Sequence, residues 1–212
     1  MMHTAAGKVY SAVGNEWLVT DGAGKTKLQP DDYALGQNIP LKACLVPSGP
    51  YEDLYAYQET GLSTAAGQVS YELLVEFCST DDLNAAEAFE FEIQVQTANK
   101  LYNGGVQANF TSGVWRVFNF LVGTWVATTI KLPTKAQWLA GVSIKVNYML
   151  GATSITFVSM VVDNVEHVIG ITFPTAKPTK QSEFNCAFQL DGSAAATPVC
   201  VYLHEATVTV EA

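Results

Sequence analysis

Glu90-Phe91-Glu92-Ile93-Gln94-Val95-Gln96 is the stretch on which the fold turns. Polar and apolar residues alternate through it without a break. Glu90, Glu92, Gln94 and Gln96 therefore share one face of an extended strand, with Phe89, Phe91, Ile93 and Val95 on the other. A helix would scatter both sets around its axis. The apolar face predicts a core seam. The opposite face is a row of carboxylates and amides, groups that grip hydroxyl-rich ligands or move protons on them. The solvated face of an ordinary antiparallel sheet carries the same pattern, so the row alone leaves a site and a plain surface equally open.

Outward from this strand, the chain reads as about fourteen short runs rich in Val, Ile, Thr, Tyr, Phe and Trp. They include Glu16–Thr20, Leu41–Val46, Leu54–Glu59, Gln68–Phe77, Ala88–Thr97, Tyr102–Phe110, Val114–Phe120, Thr124–Lys131, Val142–Leu150, Phe184–Leu190 and Val199–Glu211. Turn chemistry separates them, as at Asn103-Gly104-Gly105, Ser112-Gly113 and Asp191-Gly192. Helical turns are expected only at Thr80–Glu87 and Thr134–Trp138. Residues 21–40 form the loosest region. With no repeat, low-complexity tract or linker, residues 1–212 read as a single all-β domain, with 1–40 a looser N-terminal segment. So many short two-faced strands predict a two-sheet antiparallel β-sandwich, a jelly roll in which one curved sheet turns a concave polar face to solvent.

Composition narrows the partners. The chain is 49% hydrophobic and 15% charged, with a formal net charge of −9, which disfavours nucleic acid and anionic membrane surfaces. No apolar run approaches the roughly 20 residues of a spanning helix. The N-terminal residues lack the charged and apolar regions of a secretory signal, which fits a trimmed form or a chain not exported by the general route. Cys44, Cys78, Cys186 and Cys200 are scattered and form no metal-binding pair. Cys186 and Cys200 flank a hairpin-like loop and would meet across it in the right register; buried free thiols satisfy the same apolar contexts.

Several segments together resemble the concanavalin A-like lectin/glucanase superfamily, in particular bacterial laminin-G and glucanase-type jelly-roll domains. Phe89-Glu90-Phe91-Glu92-Ile93-Gln94 is similar to its acidic core strand, and Tyr102-Asn103-Gly104-Gly105-Val106-Gln107-Ala108-Asn109 to the strand that follows. Gly113-Val114-Trp115-Arg116-Val117 with Gly123-Thr124-Trp125 resembles the paired Trp strands of these domains. Met160-Val161-Val162-Asp163-Asn164 resembles their Leu-Asp-Gly hairpin, with Asn164 in place of Gly. The resemblance implies a concanavalin A-like sandwich and an extracellular or surface-associated setting. It also implies that structural calcium can be held, with Asp163-Asn164 and Asp191 as candidates, although these residues are equally ordinary turn formers.

The glucanase branch of that superfamily carries Glu-X-Asp-X-Glu, and the matching positions here are Glu90, Glu92 and Gln94. An amide at the third position cannot donate and then accept the proton that retaining hydrolysis needs. The alginate-lyase branch uses a Gln-Ile/Val-His strand with Arg and Tyr; Gln94-Val95-Gln96 replaces its His with Gln96, although Arg116 and Tyr102 are present. Both substitutions point away from an enzyme. What remains is a polar platform of Glu90, Glu92, Gln94 and Gln96 beside Asn103, Gln107 and Asn109, with Trp115 or Trp125 placed to stack on a sugar ring. The expectation is a non-catalytic, lectin-like carbohydrate-binding module that uses no cofactor. The alternatives are a self-assembling subunit of a fibre, capsid or surface layer, and a divergent glycoside hydrolase or polysaccharide lyase.

Overall fold

Sixteen strands and two short helices follow one another among the residues that the computed structural model describes. These are the strands at 8–11, 18–21 and 27–30, and residues 41–47, 53–62, 66–178, 183–193 and 198–211. In chain order the elements begin with β1 (Lys8–Ser11), β2 (Leu18–Asp21), β3 (Lys27–Pro30), β4 (Leu41–Leu45), β5 (Asp53–Glu59), β6 (Gly67–Phe77) and α1 (Thr80–Ala85). Next come β7 (Ala86–Gln96), β8 (Leu101–Asn103), β9 (Val106–Asn109), β10 (Val114–Asn119), β11 (Thr124–Lys131) and α2 (Lys135–Ala140). The chain closes with β12 (Val142–Leu150), β13 (Ser154–Val162), β14 (Val165–Pro174), β15 (Phe184–Gly192) and β16 (Val199–Val210).

The strands form two antiparallel sheets. One runs β14-β13-β12-β6-β16-β4-β3, with β1 also on β16; the other runs β11-β10-β9-β7-β15-β5-β2, with β8 on β7. Alternation then does its work: Phe89, Phe91, Ile93 and Val95 on β7 and Val69, Tyr71, Leu73 and Val75 on β6 are wholly buried between the layers. Tyr71 meets Phe91 edge-on across the seam at 5.9 Å, and Phe91 meets Trp115 at 6.2 Å. Each buried aromatic of this kind contributes roughly 1.5–3 kcal/mol by leaving water. The sandwich and its antiparallel sheets are those expected from the sequence.

Three local differences have physical causes. The strand expected over Tyr102–Phe110 breaks at Gly104-Gly105, because the backbone there is pressed against the opposite sheet. A Cβ on Gly104 would lie 2.7 Å from Tyr148 Cε1, and the Tyr148 hydroxyl donates to the Gly104 carbonyl at 2.8 Å. Within the region read as loosest, Lys27–Pro30 pairs with β4. The third concerns the cysteines. β15 and β16 lie in different sheets rather than forming the arms of a hairpin, so Cys186 and Cys200 are not partners. Cys200 instead bonds Cys44, its register partner on β4. Cys186 is buried and free, its thiol pushed up to about 12 by burial.

Asp163 and Asn164 take the left-handed conformation, with φ of 47° and 67°, a turn that Asp and Asn tolerate better than other non-Gly residues. Among the described residues no helix is long and apolar enough to cross a membrane.

Candidate functional site

The outward face of the second sheet is built from rows of residues set by register. Gln107 on β9 faces Glu90 on β7, which faces Gln189 on β15, which faces Tyr55 on β5. One row along, Asn103 on β8 faces Gln94, and Gln94 faces Asn185. Glu92, between Glu90 and Gln94 on β7, sits between the two rows. Above this floor stand aromatic walls. Tyr55 and Tyr57 lie at the β5 side, with ring centres 6.0 Å apart. At the other side Phe118 packs on its register partner Trp125 at 4.9 Å and on Phe120 at 6.2 Å. The open cavity between them is about 620 Å³ and is lined by Glu90, Glu92, Gln94, Asn103, Asn185 and Gln189 together with these aromatic residues.

Glu92 is the hub. Its Oε1 accepts from the Tyr55 hydroxyl and from Gln94 Nε2, both at 2.7 Å, and its Oε2 accepts from Asn103 Nδ2 at 2.7 Å. Asn103 is itself fixed, because its Oδ1 accepts from the Gly105 amide at 3.2 Å. Three donors from three strands thus hold one carboxylate in a single orientation, the condition for a site that spends little entropy on ordering itself. Burial, with the Glu92 charge next in size, drives the Tyr55 phenol far above its usual range, so Tyr55 acts only as a neutral donor and acceptor.

Glu90 behaves differently. Gln107 Nε2 donates to its Oε1 at 2.6 Å, and Asp191, held by Gln189 Nε2 at 2.7 Å, faces it from β15. Burial and then the Asp191 charge push Glu90 up to about 9, against a partial pull downward from Gln107. Burial raises Asp191 as well, while hydrogen bonds from Gln189 and Glu90 draw it back. The pair therefore holds one proton through neutral pH, carried by Glu90 and shared with Asp191.

This pair carries a pH signature in stability. The unfolded chain releases the Glu90 proton near the ordinary Glu value of 4.5, whereas the folded chain keeps it to about 9. Between those limits the folded state binds more protons, so the stabilisation is complete below the lower value and is lost as pH rises through the upper one. Gln at position 90 keeps a donor for Asp191 and an acceptor for Gln107 without titrating. The melting temperature of Glu90→Gln minus that of the parent is expected to increase steadily from about pH 4.5 to 9. A difference independent of pH in thermal melts would remove the shared proton.

Of the residues singled out in the sequence, Glu90, Glu92, Gln94, Asn103 and Trp125 line one cavity. The other four do not line it. Gln107 lies beneath, as the donor to Glu90. Gln96 is buried where the end of β7 is flanked by Glu183 and Leu101. Asn109 is buried, and its Oδ1 accepts from the Ser112 amide to start the β9–β10 turn. Trp115 is 0% exposed and packs on Phe91 and Trp138 in the core, so it is no ligand platform. Tyr102, the lyase-like tyrosine, is also buried, with its hydroxyl donated to the Gly151 carbonyl at 2.9 Å.

Sequence reasoning missed Tyr55, Tyr57, Phe118, Phe120, Asn185 and Gln189. The alternation of Tyr55-Ala56-Tyr57 and of Arg116-Val117-Phe118 was a usable signal that each set shares a face, but not that both sets flank Glu92. The calcium candidates do not fit a cation. The two oxygens of Asp163 accept from the Ser143 amide and from Gln137, Asp191 is committed to Gln189 and Glu90, and no metal-holding group of three acidic, His or Cys residues occurs among the described residues.

No family model and no curated relative matches the sequence. Among solved structures the chain is similar to arcelin-5, a lectin-like defense protein from Phaseolus vulgaris. The TM-score is 0.56 at 8% identity, covering 98% of this chain and 100% of that one. It is similar to the carbohydrate recognition domain of Emp46p in its potassium-bound form, with a TM-score of 0.53 at 9% identity over 94% of this chain and 95% of that one. It is also similar to a conserved carbohydrate esterase from Shiga toxin-encoding bacteriophage phi24B, with a TM-score of 0.51 at 12% identity over 96% and 97%. At such identities the likeness shows the fold alone, a two-sheet jelly-roll β-sandwich.

Proposed function

We propose that this chain is a non-catalytic carbohydrate-binding module whose ligand lies in the groove over Glu92. One observation carries the reading: a hydrogen-bonded floor of carboxylate and amides between two aromatic walls, in a cavity of about 620 Å³. Sugars present hydroxyl edges and apolar ring faces, and this pairing of fixed polar groups with aromatic planes matches both. The lectin-like fold supports the same reading. The Cys44–Cys200 bond favours an oxidising, extracellular or surface setting.

The arrangement of protons argues against hydrolysis. Glu90 carries a proton, but it is shared with Asp191 across the floor, and the third glucanase-like position, Gln94, donates its amide to Glu92. A general acid must offer its proton to the leaving oxygen, and neither group is free to do so. A glycan array and polysaccharide pull-down with the unmodified protein test the proposal, with binding to at least one glycan expected and no release of reducing ends. Concentration-dependent self-assembly without any glycan response would favour the assembly-subunit reading instead. Reducing ends released by the unmodified protein would make it an enzyme.

A further inference from the structure

The floor of the cavity leaves an acceptor position open beside Glu92. Glu92 Oε2 takes one hydrogen bond, from Asn103, where a carboxylate oxygen can take two. Next to it, Gly105 keeps the approach clear, since a Cβ there would stand 3.7 Å from Oε2. Asn185 is 7% exposed and lines the cavity, and its Oδ1 has no partner. Its orientation is not arbitrary, because Nδ2 must face the Glu183 carboxylate, which leaves Oδ1 turned away. The donors are partly spent: the single Tyr55 proton and one amide proton each from Gln94 and Asn103 already serve Glu92.

The charge is equally one-sided. Among the described residues no Lys, Arg or His lines the cavity. Arg116 lies on the same sheet face but opposite Gln107, outside the lining. A neutral sugar laid over Glu92 would strip water from a carboxylate that has no counter-charge, and an anionic sugar would add repulsion. A cation relieves that penalty, and the flanking faces of Tyr55, Tyr57 and Trp125 are favourable neighbours for one. Discrimination then comes as much from the cost imposed on the wrong ligand as from contacts to the right one.

We propose that the groove selects amino sugars, seating the free ammonium of a hexosamine on Glu92 Oε2 beside Gly105. An ammonium supplies three donors, one of which meets the acceptor position that Glu92 Oε2 leaves open. This inference rests on the carbohydrate reading above and narrows it to a ligand class.

Calorimetric titration of the full chain tests it with glucosamine and galactosamine oligomers, their N-acetylated forms, and the corresponding glucose and galactose oligomers, at about pH 6 where such amines are protonated. The expected result is affinity for an amino form on the order of tenfold above its acetylated and hydroxyl counterparts, weakening with added salt. Glu92→Gln should bring that ratio to about one. Hydroxyl-oligomer binding retained by Glu92→Gln guards against a folding artefact. Equal affinity for all forms, with binding still lost in Trp125→Ala, overturns the amino-sugar selection and leaves the groove as a glycan site. Absence of binding by every oligomer overturns the selection together with the reading beneath it.

Discussion

Glu92→Ala is expected to weaken any groove-bound oligosaccharide by about 30-fold or more, corresponding to about 2 kcal/mol or above. The effect should exceed the loss of one contact. Removing the carboxylate frees the Tyr55 hydroxyl, the Gln94 amide and the Asn103 amide at once, and all three must then be reordered when ligand arrives. Gln94→Ala takes away one of those donors and leaves the hub, so its effect should be smaller, about tenfold or less. Thermal stability should change within about 1 kcal/mol in Gln94→Ala, and by about 1–3 kcal/mol in Glu92→Ala, because buried Asn103 loses its acceptor there. Titration of the two variants against the best glycan decides it. Affinity unchanged in Glu92→Ala would put the ligand somewhere other than this groove.

The hub was legible in the sequence because its signal is local. Seven residues of alternation place Glu90, Glu92 and Gln94 on one face whatever they pair with. What lies beside them is set by pairings between distant segments. Asn185 stands across from Gln94, and Tyr55 reaches Glu92 through β15, which inserts between β5 and β7 from the far end of the chain. No periodicity encodes that insertion. The same step explains the cysteines: whether residues 186 and 200 face each other depends on whether the chain between them turns back within a sheet or crosses to the other. Gln96 and Asn109 show a different limit. They share the alternation of their neighbours, yet the ends of their strands are covered, so the polar face becomes a buried face within a few residues.

The two tryptophans of the β10–β11 hairpin should separate core from site by opposite phenotypes. Trp115→Ala is expected to cost about 3–5 kcal/mol, since it empties a wholly buried position packed on Phe91 and Trp138. For a chain of this size that is a fall in melting temperature on the order of ten degrees. Trp125→Ala removes a half-exposed wall residue that touches Phe118, so its stability cost should stay near 1 kcal/mol while glycan affinity falls about tenfold or more. The difference follows from phase. Val117 is buried and Arg116 is not, so alternation turns Trp115 inward with Val117, whereas register places Trp125 opposite Phe118 on the outward face. Parallel melts and titrations of the two variants test both halves. A Trp115→Ala protein that melts like the parent but no longer binds would reverse the assignment, putting Trp115 in the groove and the inner face of β10 toward solvent.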